Sequence, residues 1–287
     1  MQGSTFHHKP LAWAPWLVLC AFLTPTGPGG AADASDWATA KHSAARLIGG
    51  GRVEGPISPI YRAGVEIKLS PGWKTYWRYP GDTGLPPRFD FAGSRNLKTA
   101  EVLWPAPSRF ADAGGFSIGY KDGVVFPLRI TPTDPNQPVR VKLALDYAIC
   151  EKLCVPADAK LDLDLDKQPS AHQAILLASE KSVPRRASLG DRSALAVQTV
   201  QVDRTQTPRV IVTITVPKGA TADLFAEGPR SDWSLPLPQP IGDQSGLRRQ
   251  FTFDLDGVPP GTSTAGAQLT LTAVSDGTAV EVTAPLD

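Results

Sequence analysis

Methionine, cysteine and histidine are scarce in this chain of 287 residues, which contains one methionine, three cysteines and four histidines. The methionine is the initiator, so a methionine-rich copper site is excluded. His7 and His8 lie in an N-terminal apolar leader, which leaves His42 and His172, and no Cys–His spacing typical of zinc is present. The sequence therefore predicts no bound metal.

A charge excess is also missing, because 29 basic side chains balance 28 acidic ones to a net charge of +1. This gives no electrostatic basis for binding nucleic acid. No obvious serine–histidine pair points to a hydrolase. The run "DLDLD" at 162–166 alternates with leucine as a strand does, and it lacks the turn glycine of a calcium loop.

Residues 1–34 have the pattern of a secretory signal peptide. Lys9 precedes an apolar run at 11–23, and Ala32-Asp33-Ala34 fits a cleavage site. The apolar run is short and contains Pro15, which disfavours a membrane span. We expect an exported protein that has no stable membrane insertion after cleavage, and whose two remaining cysteines meet an oxidising compartment.

The rest of the chain predicts an all-β fold. Apolar and polar residues alternate in many short runs separated by Gly- and Pro-rich turns. A single helix is predicted at 170–182, between Pro169 and Pro184. We therefore predict two immunoglobulin-like antiparallel β-sandwich domains, at 38–168 and 193–287, joined by a helical linker at 169–192.

The stretch "DYAICEKLCVPADAK" (146–160) contains both of these cysteines. In an extended chain the Cα atoms of Cys150 and Cys154 would be roughly 13 Å apart, whereas a disulfide spans about 4.4–6.8 Å. The chain must therefore double back in a hairpin or a helical turn. So small a ring adds only about 2 kcal/mol of stability. This favours a redox-active pair over a structural disulfide or a Cu(I)-binding dithiol, which remain alternatives.

Three stretches resemble the periplasmic N-terminal domain of the DsbD family of membrane thiol:disulfide reductases, and within it the branch of the copper-sensitivity suppressor ScsB. The similarity lies in a pattern of tryptophans and prolines around the cysteine pair. The stretches are "SPGWKTYWRYPGDTGLPPRFDF" (70–91), "VLWPAPSRFADAGGFSIGYKDGVVFPLRI" (102–130) and "LDYAICEKLCVPADAKLDL" (145–163).

The resemblance implies a periplasmic electron relay rather than a stand-alone enzyme. The pair would accept electrons from a thioredoxin-fold partner or a membrane reductase and pass them to periplasmic proteins, without a cofactor. The family's pattern assigns mixed-disulfide formation to Cys154 and resolution to Cys150. It also implies an aromatic cap, for which Phe116 is the candidate, with Tyr76 and Trp77 lining the site.

Two departures from the family pattern affect this expectation. The cysteines have a shorter C-x-x-x-C spacing than in the enteric DsbD domain, and the sequence does not continue into a membrane conduit or a C-terminal thioredoxin domain. We therefore expect partners on separate polypeptides. The alternative is a non-catalytic β-sandwich binding module in copper or redox stress, whose cysteines form a structural disulfide or bind Cu(I).

Overall fold

The computed structural model describes residues 1–3, 5, 32–55, 58–82, 84–112, 115–165, 168, 170–204 and 208–287. The predicted signal peptide at 1–34 lies almost wholly outside these residues. Within them, the chain forms nineteen strands and one helix.

The first eleven strands precede the helix. They are β1 (Ala38–Ala40), β2 (Ser43–Val53), β3 (Ile60–Leu69), β4 (Lys74–Gly81), β5 (Arg88–Asp90), β6 (Leu97–Val102), β7 (Ser108–Asp112), β8 (Gly115–Lys121), β9 (Gly123–Pro132), β10 (Val139–Cys150) and β11 (Cys154–Leu165).

The helix and eight further strands follow. They are α1 (Gln173–Ser182), β12 (Arg185–Arg186), β13 (Ala196–Asp203), β14 (Arg209–Thr215), β15 (Asp223–Glu227), β16 (Gln239–Ile241), β17 (Arg248–Asp254), β18 (Gln268–Ser275) and β19 (Thr278–Pro285).

The first β-sandwich is built from two antiparallel sheets. One has the strand order β1-β2-β3-β9-β6, and the other has the order β11-β10-β4-β8-β7 with β5 added on β10. Both sheets contribute to one hydrophobic core, in which Val65 and Phe126 meet Trp77 and Leu145. We call the sheet that contains β10 and β11 the dithiol sheet.

Strand β10 shows why these residues form a sandwich. Val139, Val141, Leu143 and Leu145 are buried, whereas the residues between them are exposed. Successive side chains of a strand point to opposite faces, so this alternation places one face in the core and the other in solvent.

The second β-sandwich has two four-stranded sheets, ordered β12-β19-β18-β15 and β13-β14-β17-β16. Pairing is antiparallel except between β12 and β19, which are parallel. Its main core is separate and contains Val212, Phe251 and Leu271. The expected all-β, immunoglobulin-like architecture is thus confirmed, while the exact domain boundaries at 168 and 193 stay a prediction.

Helix α1 begins three residues later than the predicted segment at 170–182. It packs on the first sandwich through Leu176, whose side chain fills the space beside Gly50 and Gly64. A Cβ atom at either glycine would lie 2.6 Å from a Leu176 methyl carbon. Arg62 on β3 also donates to Glu180 of the helix at 3.0 Å.

Candidate functional site

The two cysteines lie opposite each other at the end of a long hairpin. β10 pairs with β11 along its whole length, and the last partners are Cys150 and Cys154. Directly opposed residues in an antiparallel pair have Cα atoms about 4.5–5.5 Å apart, which is within the range that a disulfide spans. The chain therefore doubles back through a hairpin, one of the two forms that the spacing allowed.

The two thiols differ in exposure. Both cysteines are free; Cys150 is only 6% exposed, whereas Cys154 is exposed. Even-numbered residues of β10 face solvent from 140 to 146, but on the same face Ala148 and Cys150 are buried. They are buried because Tyr76 packs with them in a small cluster outside the main core. Cys154 is thus the thiol that another protein can reach.

Tyr76 connects this cluster to the exposed thiol. The side chain is 1% exposed, and its hydroxyl oxygen lies 3.0 Å from Cys154 Sγ. Burial raises the pKa of Tyr76, and its interactions with the two cysteines raise it further. The phenol therefore stays protonated at neutral pH and can donate a hydrogen bond to the Cys154 thiolate. The structure thus brings Tyr76 to the cysteines.

Lys74 and Asp112 complete the site, and sequence reasoning missed both. Lys74 is the cross-strand partner of Cys150 and is only 7% exposed. Its Nζ donates to Asp112 at the end of β7. Burial acts to raise the pKa of Asp112, but the hydrogen bond and charge of Lys74 outweigh it, so the pKa is lowered. In the sequence, the position of Lys74 next to the aromatic residues of β4 was the one sign that it could belong to the site. Nothing comparable indicated Asp112.

The surroundings of Cys150 raise the pKa of its thiol. Burial is the largest cause, followed by the hydrogen bond with Cys154, whereas the Tyr76 hydroxyl and the charge of Lys74 act in the opposite direction. A thiolate is the attacking species in disulfide exchange. The raised pKa therefore disfavours the thiolate form of Cys150. Cys154 is thus the better first nucleophile.

The structure does not bring Trp77 to the dithiol. Trp77 follows Tyr76 in β4, so its side chain points to the other face of the sheet. It is fully buried in the main core, where its ring centroid lies 5.8 Å from that of Phe225. The predicted lining role of Trp77 is therefore corrected.

The face of β8 that carries Phe116 is also turned away from the dithiol. Phe116 shares that face with Ile118, and it packs against the main core. Its ring centroid lies 5.7 Å from the guanidinium carbon of Arg109. Two of the residues expected in the cap loop, 113 and 114, lie outside the described residues. Because side chains alternate between the two faces of a strand, Phe116 lies on the core face and not on the dithiol face. The prediction of Phe116 as the cap is thus corrected.

Phe110 is the aromatic residue on the correct face. It pairs with Ser117 in the β7–β8 ladder, and so shares a face with Tyr76, whose partner is Gly119. Its ring centroid lies 5.7 Å from Lys74 Nζ, and the side chain is half-buried. Ile118 and Tyr120 are apolar and mark the positions of β8 that face the core. This pattern could have shown from the sequence that Phe116 faces the core, unlike Phe110.

Residues 61–166 match the family described as "Thiol:disulfide interchange protein DsbD, N-terminal". The match includes both cysteines, Tyr76, Lys74 and Asp112.

A solved structure extends the likeness beyond this segment. The N-terminal periplasmic domain of ScsB from Proteus mirabilis matches with a TM-score of 0.69 and 22% sequence identity, over 88% of this chain and 98% of that chain. At this identity the likeness is one of fold. No curated protein matches the sequence.

Exposed apolar residues flank Cys154 in the chain. Leu153 is 79% exposed and Val155 is 40% exposed. A groove of about 510 Å³ lies further along the same hairpin, at residues 146–148 of β10 and 156–158 of β11. Its lining residues are Leu85, Pro86, Arg88, Asp146, Tyr147, Ala148, Pro156, Ala157 and Asp158.

Neither a metal cluster nor a membrane span is found in the part of the chain that the structure describes. No three or more His, Cys, Asp or Glu side chains are grouped there so as to hold a metal ion. The described helix is not long and apolar enough to cross a membrane.

Proposed function

We propose that this protein is a periplasmic thiol–disulfide exchange protein that relays electrons through Cys150 and Cys154. The observation that carries the proposal is the asymmetry of the pair: two facing cysteines, of which one is exposed and the other is buried beside a tyrosine and a lysine. A disulfide that served only to stabilise the fold would gain little from so short a loop. The match of residues 61–166 to the DsbD N-terminal family supports the same role.

Exchange would proceed in two displacements. The Cys154 thiolate attacks one sulfur of a partner disulfide, that S–S bond breaks, and the other partner sulfur leaves as a thiolate. Cys150 then gives up its proton to the leaving thiolate and attacks Cys154 Sγ. The mixed disulfide breaks, a Cys150–Cys154 disulfide forms, and the second partner sulfur leaves as a thiolate, which takes from solvent the proton that Cys154 had lost on ionising. The partner has then gained two electrons and two protons.

Tyr76 and Lys74 support different steps of this sequence. The Tyr76 hydroxyl is placed to stabilise the Cys154 thiolate before attack. Lys74 faces Cys150, and its charge favours the Cys150 thiolate that resolves the mixed disulfide. Tyr76 also acts on Cys150, so the charge of Lys74 is what is added at the resolving thiol.

The partners would be of two kinds. A thioredoxin-fold protein or membrane reductase supplies electrons by the reverse sequence, and a periplasmic substrate protein receives them. The leader pattern at 1–34 and the periplasmic origin of the ScsB domain support this location. The exposed Leu153 and Val155 would contact the partner around its disulfide.

Trapping of the mixed disulfide tests this function. Cys150→Ser in the host should accumulate an adduct through Cys154 that is visible on non-reducing gels and that mass spectrometry identifies as a thioredoxin-fold or membrane reductase protein. Cys154→Ser is the matched control and should give no adduct. The proposal fails if Cys154 reacts readily with glutathione disulfide but no protein adduct forms in the host.

The reduction potential separates exchange from a structural disulfide. Structural disulfides have potentials below about −300 mV, whereas exchange-active ones are higher. We expect the Cys150–Cys154 pair to lie above this value in glutathione and dithiothreitol buffers. A lower potential would favour the structural alternative.

A further inference from the structure

Strand β7 supplies two side chains to the dithiol face from the edge of its sheet. In the described part of the chain, β7 is five residues long and pairs with β8 alone. Phe110 and Asp112 project from it toward Lys74. A short strand with one neighbour is weakly held by its own ladder. Its position must therefore depend on other contacts.

Arg109 provides such contacts from the same strand. Its side chain points away from the dithiol and reaches the second sandwich. It donates to the Asp223 carboxylate at 2.6 and 3.1 Å, to the Leu224 carbonyl at 3.3 Å and to the Pro238 carbonyl at 2.8 Å. One guanidinium thus holds three positions of the second sandwich.

The environment of this ion pair is largely shielded from water. The Arg109 side chain is 14% exposed and that of Asp223 is 29% exposed. Burial raises the pKa of Asp223 despite the nearby guanidinium. Phe116 and Phe225 lie near the guanidinium, with ring centroids 5.7 and 6.0 Å from its central carbon. A buried ion pair adds little net stability, but its several directed bonds fix orientation.

We propose that the Arg109–Asp223 ion pair is a positioning contact, through which the second sandwich holds β7 and thereby places Asp112 and Phe110 against the dithiol. The inference rests on the proposed function, since it assigns the second sandwich a part in setting thiol reactivity. Arg109 touches neither cysteine among the described contacts and acts through its neighbours on β7.

The expected effect follows from the charges around Cys150. Asp112 neutralises Lys74, which faces Cys150. If β7 moves away, the positive charge of Lys74 acts on Cys150 with less compensation and its thiolate becomes more favourable. Withdrawal of Phe110 also opens the site. Both changes make Cys150 more reactive.

Alkylation of the reduced, full-length protein tests this. The Cys154→Ser background leaves Cys150 as the one thiol of the site. Asp223→Asn, and the double change of Arg109→Met with Asp223→Leu, should each increase alkylation of Cys150 by iodoacetamide at neutral pH about threefold, equal to half a pKa unit. Asp223→Asn leaves the buried Arg109 guanidinium without its charged partner, which costs stability. The double change replaces both charged side chains with apolar ones, so that folding is preserved.

Glu180→Gln is the matched control. It removes a similarly buried ion pair with Arg62, on the sheet opposite the dithiol sheet, and should leave the alkylation rate unchanged. The threefold increase should become smaller when Asp112→Asn is already present, since Lys74 has then already lost its compensating charge and only the withdrawal of Phe110 remains. A folded double variant with an unchanged rate, or an equal increase in the Asp112→Asn background, would overturn the proposal.

This measurement is independent of the exchange reaction. Alkylation needs no partner protein, so the positioning contact can be supported even if no mixed disulfide is trapped. Conversely, trapping can succeed when the alkylation rates do not change, which would reject the contact and retain the function.

Discussion

Two hairpins of this protein close in opposite ways. In the first sandwich, β10 and β11 end in the dithiol tip, which consists of Cys150, Cys154 and the three-residue loop between them. In the second, β18 and β19 end in the turn tip, in which Ser275 pairs with Thr278 across Asp276-Gly277. Asp276 and Gly277 have φ values of 40° and 79°, the positive values that a tight two-residue hairpin requires.

The turn tip is tied to the sandwich by its own polar groups. The Asp276 carboxylate accepts bonds from the Thr221 amide at 3.1 Å and from the Thr221 hydroxyl at 2.5 Å. The Ser275 hydroxyl donates to the Thr221 carbonyl at 2.7 Å. All of these hydrogen bonds hold the turn tip against the rest of the second sandwich.

The dithiol tip, at the end of the β10–β11 hairpin, carries different functional groups from the turn tip. Leu153 and Cys154 are exposed there. The buried Tyr76 hydroxyl contacts Cys154 Sγ, and the buried Lys74 is the cross-strand partner of Cys150. An exposed leucine contributes little to folding. The comparison indicates that the turn tip is built for stability and the dithiol tip for contact with another molecule.

The largest effect should come from straining the turn tip. Gly277→Ala places a Cβ atom in open space, so its effect is backbone strain alone, about 1–2 kcal/mol of unfolding free energy. Urea denaturation should show this loss as a lower midpoint. Exchange of the folded variant with glutathione disulfide should stay at the wild-type rate, and a slower rate would mean that the two tips are not independent.

A smaller effect is expected from Tyr76→Phe at the dithiol site. Loss of a hydrogen bond worth roughly 1.5 kcal/mol reduces the Cys154 thiolate about tenfold, and the higher nucleophilicity of the remaining thiolate recovers about threefold. The reaction of Cys154 with glutathione disulfide should therefore slow about threefold at neutral pH. At alkaline pH, where both proteins are fully ionised, the variant should instead react about threefold faster, because its thiolate is the more nucleophilic. Slowing that is equal at every pH would argue against the hydrogen bond as the cause.

The sequence predicted the fold well because alternation is a local signal. The run at 61–69 and the leucine–aspartate run at 159–165 form strands in the structure, within β3 and β11. The cysteine pair was also recognisable, because five residues fix its spacing and the flanking pattern is specific.

The other site residues could not be predicted from the sequence, because they lie in a fully buried strand segment or their partners are distant in the sequence. Lys74 to Trp77 are all buried, so the alternation that would have placed Trp77 on the core face is absent there. Lys74 meets Asp112 across 38 residues, and Arg109 meets Asp223 across 114 residues. Such pairs depend on sheet order and on the packing of the two sandwiches, which no local pattern contains.

The smallest effect on stability should come from Leu153→Ser, and this variant isolates contact from chemistry. Because Leu153 is 79% exposed, its replacement should change the unfolding free energy by less than about 0.5 kcal/mol. Reaction of Cys154 with glutathione disulfide should be unchanged, since Tyr76 is untouched. The yield of the protein adduct trapped in the Cys150→Ser background should fall.

Leu247→Ser provides the control, because Leu247 is also strongly exposed, at 57%, but lies in the second sandwich. It should change neither stability nor adduct yield. If both leucine variants reduce the adduct equally, general surface hydrophobicity explains the loss. If Leu153→Ser alone does so, the apolar tip is part of the surface that a partner recognises, and the two hairpins differ in purpose as well as in sequence.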